Sequence, residues 1–212
     1  MTDPLAAFDA AFRQAPLVAI LRGLTPAEAP AVGDALVDAG FTLLEVPLNS
    51  PEPIESIRLL AERLAGRAMV GAGTVLTTDD VARVRDAGGT LIVSPNTNPE
   101  VIRASVAAGL VSLPGYFTPS EGFAALAAGA TALKLFPADG TTPAFLKAQR
   151  AVLPKATRML AVGGITPQNM AEWRAAGADG FGLGSNLYRP GKSAEAVGQD
   201  ARQYITALKD LA

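Results

Sequence analysis

The chain contains no histidine and no cysteine. Without cysteine there is no disulfide framework, no thiolate nucleophile and no sulfur-ligated metal, and folding is compatible with a reducing cytosol. Without histidine there is no Ser-His-Asp or Cys-His triad, no imidazole metal site and no imidazole base. Acid–base work near neutral pH then falls to Asp, Glu, Lys or Tyr with a pKa moved by its surroundings. No apolar run reaches the roughly 18 residues of a membrane span, and no basic, then apolar, then small-residue leader pattern opens the sequence. A cytoplasmic location is the resulting expectation. Strong charge of either sign is also missing: the formal net charge is −2, spread along the chain. Neither a nucleic acid nor a membrane surface is therefore expected as a partner.

What the chain does have is glycine, 21 of 212 residues, and a 49% hydrophobic content, a combination suited to a buried parallel sheet with many tight turns. One pattern repeats along it: a short apolar run, then a Ser/Thr/Asn-Pro cap, then an amphipathic helix closed by glycine. Leu17 to Leu21 is the first such run, followed by Thr25-Pro26 with Glu28 and a stop at Gly40. Later caps fall at Ser50-Pro51, Thr78-Asp79, Asn98-Pro99, Thr118-Pro119, Thr142-Pro143 and Thr166-Pro167. Strand centres near residues 19, 44, 70, 92, 112, 133, 160 and 181 make eight strand–helix units. Strands alternating with helices imply right-handed parallel crossovers, and eight of them close into a (β/α)8 TIM barrel. Residues 1–212 are read as one barrel domain. Residues 1–16 form an N-terminal helix covering one end, with Leu5, Phe8 and Phe12 on a shared face. An open doubly wound sheet fits less well, because Gly71-Ala-Gly73 lacks the third glycine of a dinucleotide loop and follows the third strand.

In a barrel, the C-terminal ends of the strands converge on one mouth. That rule collects Arg22, Glu45, Asn49, Thr74, Pro95, Lys134, Phe136, Gly163, Gly164, Gly184 and Ser185. Two of these interrupt apolar runs. Lys134 stands inside Leu133-Lys-Leu-Phe136, and Glu45 inside Leu43-Leu-Glu-Val46. Burial penalises a lysine unless it is paired or gives up its proton. Read blandly, Lys134 snorkels to solvent and Glu45 is a salt-bridge partner. Read functionally, desolvation and a nearby cation such as Arg22 lower the lysine from its usual value of about 10.4, while burial raises the glutamate. A neutral amine then attacks a ketone, and the iminium it forms serves as electron sink for cleaving the adjacent carbon–carbon bond without a metal. Glycine pairs follow the seventh and eighth strands, where barrels place a substrate phosphate on backbone N–H groups, and Ser185 adds a hydroxyl. An isomerase of phosphorylated sugars and a non-catalytic phosphometabolite-binding barrel remain as alternatives.

Several segments carry a family likeness: Val18-Ala-Ile-Leu-Arg22, Leu44-Glu-Val-Pro-Leu-Asn-Ser50, Gly71-Ala-Gly-Thr74, Ser94-Pro-Asn96, Leu113-Pro-Gly115, Ala132-Leu-Lys-Leu-Phe-Pro137, Ala161-Val-Gly-Gly-Ile165 and Gly182-Leu-Gly-Ser185. Together they resemble the 2-keto-3-deoxy-6-phosphogluconate / 4-hydroxy-2-oxoglutarate (KDPG/KHG) aldolases over nearly the whole chain. The resemblance implies a cofactor-free and metal-free Schiff-base lyase on a (β/α)8 barrel with an extra N-terminal helix, assembled as a homotrimer. It makes Lys134 the Schiff-base lysine and Glu45 the general acid/base. Arg22, Thr74, Pro95 and Phe136 match substrate-pocket residues, and Gly163, Gly164, Gly184 and Ser185 match the phosphate loops. Substrate and products would be a phosphorylated 2-keto-3-deoxy acid, pyruvate and glyceraldehyde 3-phosphate. At one position the chain departs from the phosphogluconate pattern, having Asn49 in place of an arginine. The Pro-Leu-Asn-Ser form resembles the phosphogalactonate branch, whose substrate differs only in configuration at C4. The C4 epimer is the alternative substrate.

Overall fold

The computed structural model describes residues 3–211. Among these lie β1 (Leu17–Ile20), β2 (Leu43–Pro47), β3 (Met69–Gly73), β4 (Leu91–Val93), β5 (Val111–Leu113), β6 (Gly115–Tyr116), β7 (Leu133–Leu135), β8 (Met159–Val162) and β9 (Gly180–Leu183). All pairings are parallel, in the order β5-β4-β3-β2-β1-β9-β8-β7-β6. The helices are α1 (Pro4–Gln14), α2 (Ala29–Ala39), α3 (Pro53–Arg63), α4 (Thr78–Asp86), α5 (Pro99–Ala107), α6 (Pro119–Ala127), α7 (Pro143–Val152), α8 (Met170–Ala175) and α9 (Ala194–Lys209).

The sequence pattern predicts eight strands, and the ninth arises from a break at Pro114. Proline offers no N–H to a ladder, so the fifth stave divides there into β5 and β6. β5 pairs with β4, and β6 pairs with β7. The break also carries the closure. The Pro114 carbonyl accepts the Lys134 N–H at 2.9 Å, and the Ser112 carbonyl accepts the Thr131 N–H at 2.9 Å. The two ends of the strand order are thereby joined, and the sheet is a (β/α)8 barrel of eight staves with one bent.

Most helix starts follow the predicted caps. Thr118 and Glu121 form a reciprocal capping box at α6, and the Asn98 side chain accepts the Glu100 N–H at 3.0 Å. Four starts differ. α3 begins at Pro53 after Glu52, which has φ of 41°, and the Ser50 hydroxyl accepts the Gly23 N–H at 2.9 Å instead of capping the helix. α4 is capped by Thr77, whose hydroxyl accepts the Asp80 N–H at 3.1 Å. Thr25 donates its hydroxyl to Glu28 at 2.6 Å, yet regular helix begins only at Ala29. In the 166–169 turn, Asn169 accepts the Thr166 N–H at 2.9 Å, and α8 begins at Met170.

Alternation along each strand splits the apolar residues into two layers. Leu17, Ala19, Leu44, Val46, Leu133 and Leu135 face outward onto the helices. Val18, Ile20, Leu43, Leu91, Val93, Leu113, Leu160 and Val162 face inward, in one cluster with Phe8 and Phe12 of α1. α1 thus closes the floor of the barrel. Asp9 holds Arg158 at 2.6 Å, and the Arg158 guanidinium lies 5.6 and 5.4 Å from the rings of Phe8 and Phe12. Leu5, expected on the same face, is instead half exposed in the first turn. No helix among the described residues is long and apolar enough to cross a membrane.

Candidate active site

Inward alternation takes Glu45 of β2 and Lys134 of β7 into one chamber, lined also by Val18, Ile20, Val93, Leu113, Leu160, Val162 and Gly182. Both are buried, Glu45 to 1% exposure and Lys134 to 8%. The chamber is narrow, about 10 Å³, at the lower bound for a single water. Glu45 Oε2 has no hydrogen-bond partner among the described residues. A buried carboxylate oxygen without a donor is uncommon and calls for an explanation beyond packing.

The electrostatics set the two groups against their ordinary values. Burial raises the Glu45 carboxyl, and the charges of Lys134 and Arg22 offset only part of that rise. Burial lowers the Lys134 amine; Glu45 opposes the change and Arg22 reinforces it. A proton passing between them therefore meets a smaller difference than it would in water. The Phe136 ring centroid lies 4.8 Å from Lys134 Nζ. Space for the carboxylate depends on Gly73, where an added Cβ would lie 2.4 Å from Glu45 Oε2.

Above the chamber opens a cleft of about 450 Å³, and Ile20, Phe136, Val162 and Gly182 border it. Arg22, Gly163, Gly164, Gly184 and Ser185 line it too. Gly163 and Gly164 have φ of 117° and 66°, a left-handed backbone that strains other residues. After β9, Leu187 and Tyr188 donate their N–H groups to the Gly184 carbonyl at 2.8 and 2.9 Å, which forms a helical turn. The N–H groups of Ser185 and Asn186 at the start of that turn have no backbone acceptor among the described residues. Free amides beside glycines in a cleft suit an anion.

The structure thus brings together Lys134, Glu45, Arg22, Phe136, Gly163, Gly164, Gly184 and Ser185. Three other predicted residues border neither cavity. Asn49 is exposed on the loop after β2, and Thr74 and Pro95 are half buried after β3 and β4. Thr74 has φ of 57°, a conformation that costs a β-branched residue energy. Sequence reasoning missed Val162, which borders both cavities, and Asp139, Asn186 and Arg189 in the cleft wall. A valine in an apolar strand, or an arginine in a loop, carries no local anomaly to flag it.

Residues 8–206 match the family model of the KDPG and KHG aldolases. The chain is 51% identical over 192 residues to the probable 2-dehydro-3-deoxy-6-phosphogalactonate aldolase of Rhizobium meliloti (strain 1021), covering 91% of each. It is 33% identical over 167 residues to the 2-dehydro-3-deoxy-phosphogluconate aldolase of Zymomonas mobilis, covering 78% of each. A solved structure described as native KDPGal superposes with a TM-score of 0.91 at 47% identity, covering 92% of this chain and 95% of that one. With the same barrel and a match spanning nearly its whole length, this chain belongs to the KDPG and KHG aldolase family.

Proposed function

We propose that this aldolase cleaves 2-dehydro-3-deoxy-6-phospho-D-galactonate into pyruvate and D-glyceraldehyde 3-phosphate through a Schiff base on Lys134. The observation that carries the reading is the buried amine of Lys134 sharing a chamber with the buried carboxylate of Glu45, one of whose oxygens lacks a partner.

The lowered amine is neutral often enough to attack C2 of the keto acid, forming a C–N bond. Glu45, whose raised pKa lets it hold a proton, protonates the C2 hydroxyl of the carbinolamine, and water leaves. The carboxylate then takes the proton from the C4 hydroxyl. The C3–C4 bond breaks, its electron pair passing to C3 and on to the iminium nitrogen, and C4 departs as the aldehyde carbon of glyceraldehyde 3-phosphate. Protonation of the enamine at C3 and addition of water at C2 release pyruvate and the free lysine. The phosphate rests on the Gly163-Gly164 and Gly184-Ser185 loops, and Arg22, in the cleft wall, receives the keto-acid carboxylate. Phe136, whose ring lies beside Lys134 Nζ, packs against the reacting carbons.

The galactonate configuration rests on Asn49 and on the higher identity to the phosphogalactonate relative. Asn49 itself is exposed and borders neither cavity, so the 51% identity to the phosphogalactonate relative, against 33% to the phosphogluconate one, carries most of that choice. Pyruvate release from the two epimeric 6-phosphates, compared side by side, tests the choice, and a strong preference for the gluconate-derived epimer would refute it. Borohydride with pyruvate should fix a three-carbon adduct on Lys134, and an intact mass without that adduct would sink the Schiff base. A homotrimer of one-domain chains of residues 1–212, working in the cytoplasm, completes the reading. Light scattering at a trimer mass and a single cooperative unfolding transition are the corresponding checks.

A further inference from the structure

The cleft holds two arginines, and their surroundings give them different work. Arg22 acts on the chamber: its charge lowers the pKa of both Glu45 and Lys134. Arg189 lines the cleft beyond the helical turn at Gly184 and forms no ion pair among the described residues. Asp139 stands in the same wall, so close that a Cβ on Gly163 would lie 2.8 Å from its Oδ1. A carboxylate in that position opposes an anion unless a cation answers it.

The segment that carries Arg189 is held from several sides. Leu187 and Tyr188 before it are buried. Lys192 after it donates to the Leu187 carbonyl at 2.6 Å and is ion-paired with Asp200 of α9. The Lys192 N–H donates to the Arg189 carbonyl at 3.1 Å. Pro190 packs on Gly23, where an added Cβ would fall 2.5 Å from its Cγ. An exposed arginine on an anchored backbone loses less freedom on binding than one on a loose loop. Its planar fork also matches phosphate oxygens.

We infer that Arg189 is the cation that binds the substrate phosphate, and that Lys192, gripping Leu187 and Asp200, is its positioning residue. The inference rests on the aldolase reading above. Phosphate selectivity in this chain then comes from a side-chain charge as well as from the glycine-loop amides.

The test measures kcat and KM of wild type, Arg189→Gln, Arg189→Lys and Lys192→Met on 2-dehydro-3-deoxy-6-phosphogalactonate and on its unphosphorylated counterpart. Inorganic phosphate serves as a competitive probe. Losing a charge-assisted contact should cut the ratio of kcat/KM for phosphorylated over unphosphorylated substrate by about 10- to 100-fold in Arg189→Gln, chiefly through KM. Phosphate inhibition should weaken in parallel, and Arg189→Lys should recover part of both. Lys192→Met should raise KM for the phosphorylated substrate by about 3- to 10-fold with kcat held. An unchanged ratio in Arg189→Gln, or an equal loss on both substrates, overturns the inference. If wild type itself traps no pyruvate and releases none, the aldolase reading has failed instead, and the two failures are told apart.

Discussion

Gly73→Ala adds one methyl group beside the proposed acid/base and alters no polar atom. The glycine ends β3 next to β2 and lies outside the left-handed region, so its backbone accepts alanine. The new Cβ would sit 2.4 Å from Glu45 Oε2, 2.7 Å from Cδ and 2.8 Å from Oε1. Ordinary contact begins near 3.4 Å, so the carboxylate must retreat by about 1 Å. Val18, Ile20, Val93, Leu113, Leu160 and Val162 wall the narrow chamber, so any retreat takes the carboxylate out of its present position beside Lys134. A displacement of about 1 Å at a reacting group costs roughly 100-fold in rate, or about 2.7 kcal/mol in the barrier. Overpacking should cost stability only about 1–3 kcal/mol, which leaves the variant folded. Pyruvate release in a coupled assay gives kcat, and circular dichroism with urea unfolding gives stability. Gly71→Ala is the control that should fail differently, because its Cβ would fall 1.8 Å from the Leu91 carbonyl oxygen and force the backbone apart. A folded Gly73→Ala protein with kcat within about threefold of wild type would refute the placement of Glu45 at the proton transfers.

Two further outcomes follow from the same geometry. In Glu45→Gln the attraction that raises the Lys134 pKa is gone, while burial and Arg22 still lower it. The normalised pH profile of borohydride trapping with pyruvate should therefore shift its midpoint toward acid, and an alkaline shift would contradict the coupling. Phe8→Ala empties the barrel floor where Phe8 is fully buried; urea unfolding should show a loss of about 3–5 kcal/mol, and a loss below 1 kcal/mol would mean that α1 does not seal the barrel.

The fold was legible because its period is local. Each apolar run, proline cap and closing glycine declares itself within about ten residues, and eight repeats leave few closed arrangements. Lys134 and Glu45 were legible for a related reason, since a charge inside an apolar strand is an anomaly in its own neighbourhood. Pro114 was visible as a residue, but the split of the fifth stave was not, because it depends on which neighbours supply the hydrogen bonds.

Asp139 and Arg189 looked like ordinary loop charges, and Val162 like any strand valine. Only closure of the barrel puts Val162 at both chamber and cleft, Asp139 against Gly163, and Arg189 in the lining of the same cleft. The sequence by itself determined the repeat, the direction of the strands, the two buried charges and the glycine loops, all of which depend on residues near one another in the chain. Tertiary structure alone decided that Gly73 makes room for Glu45, that a backbone break closes the sheet, and which loop charges share the cleft. Those are distances between remote segments, and they come into being only when the chain closes on itself.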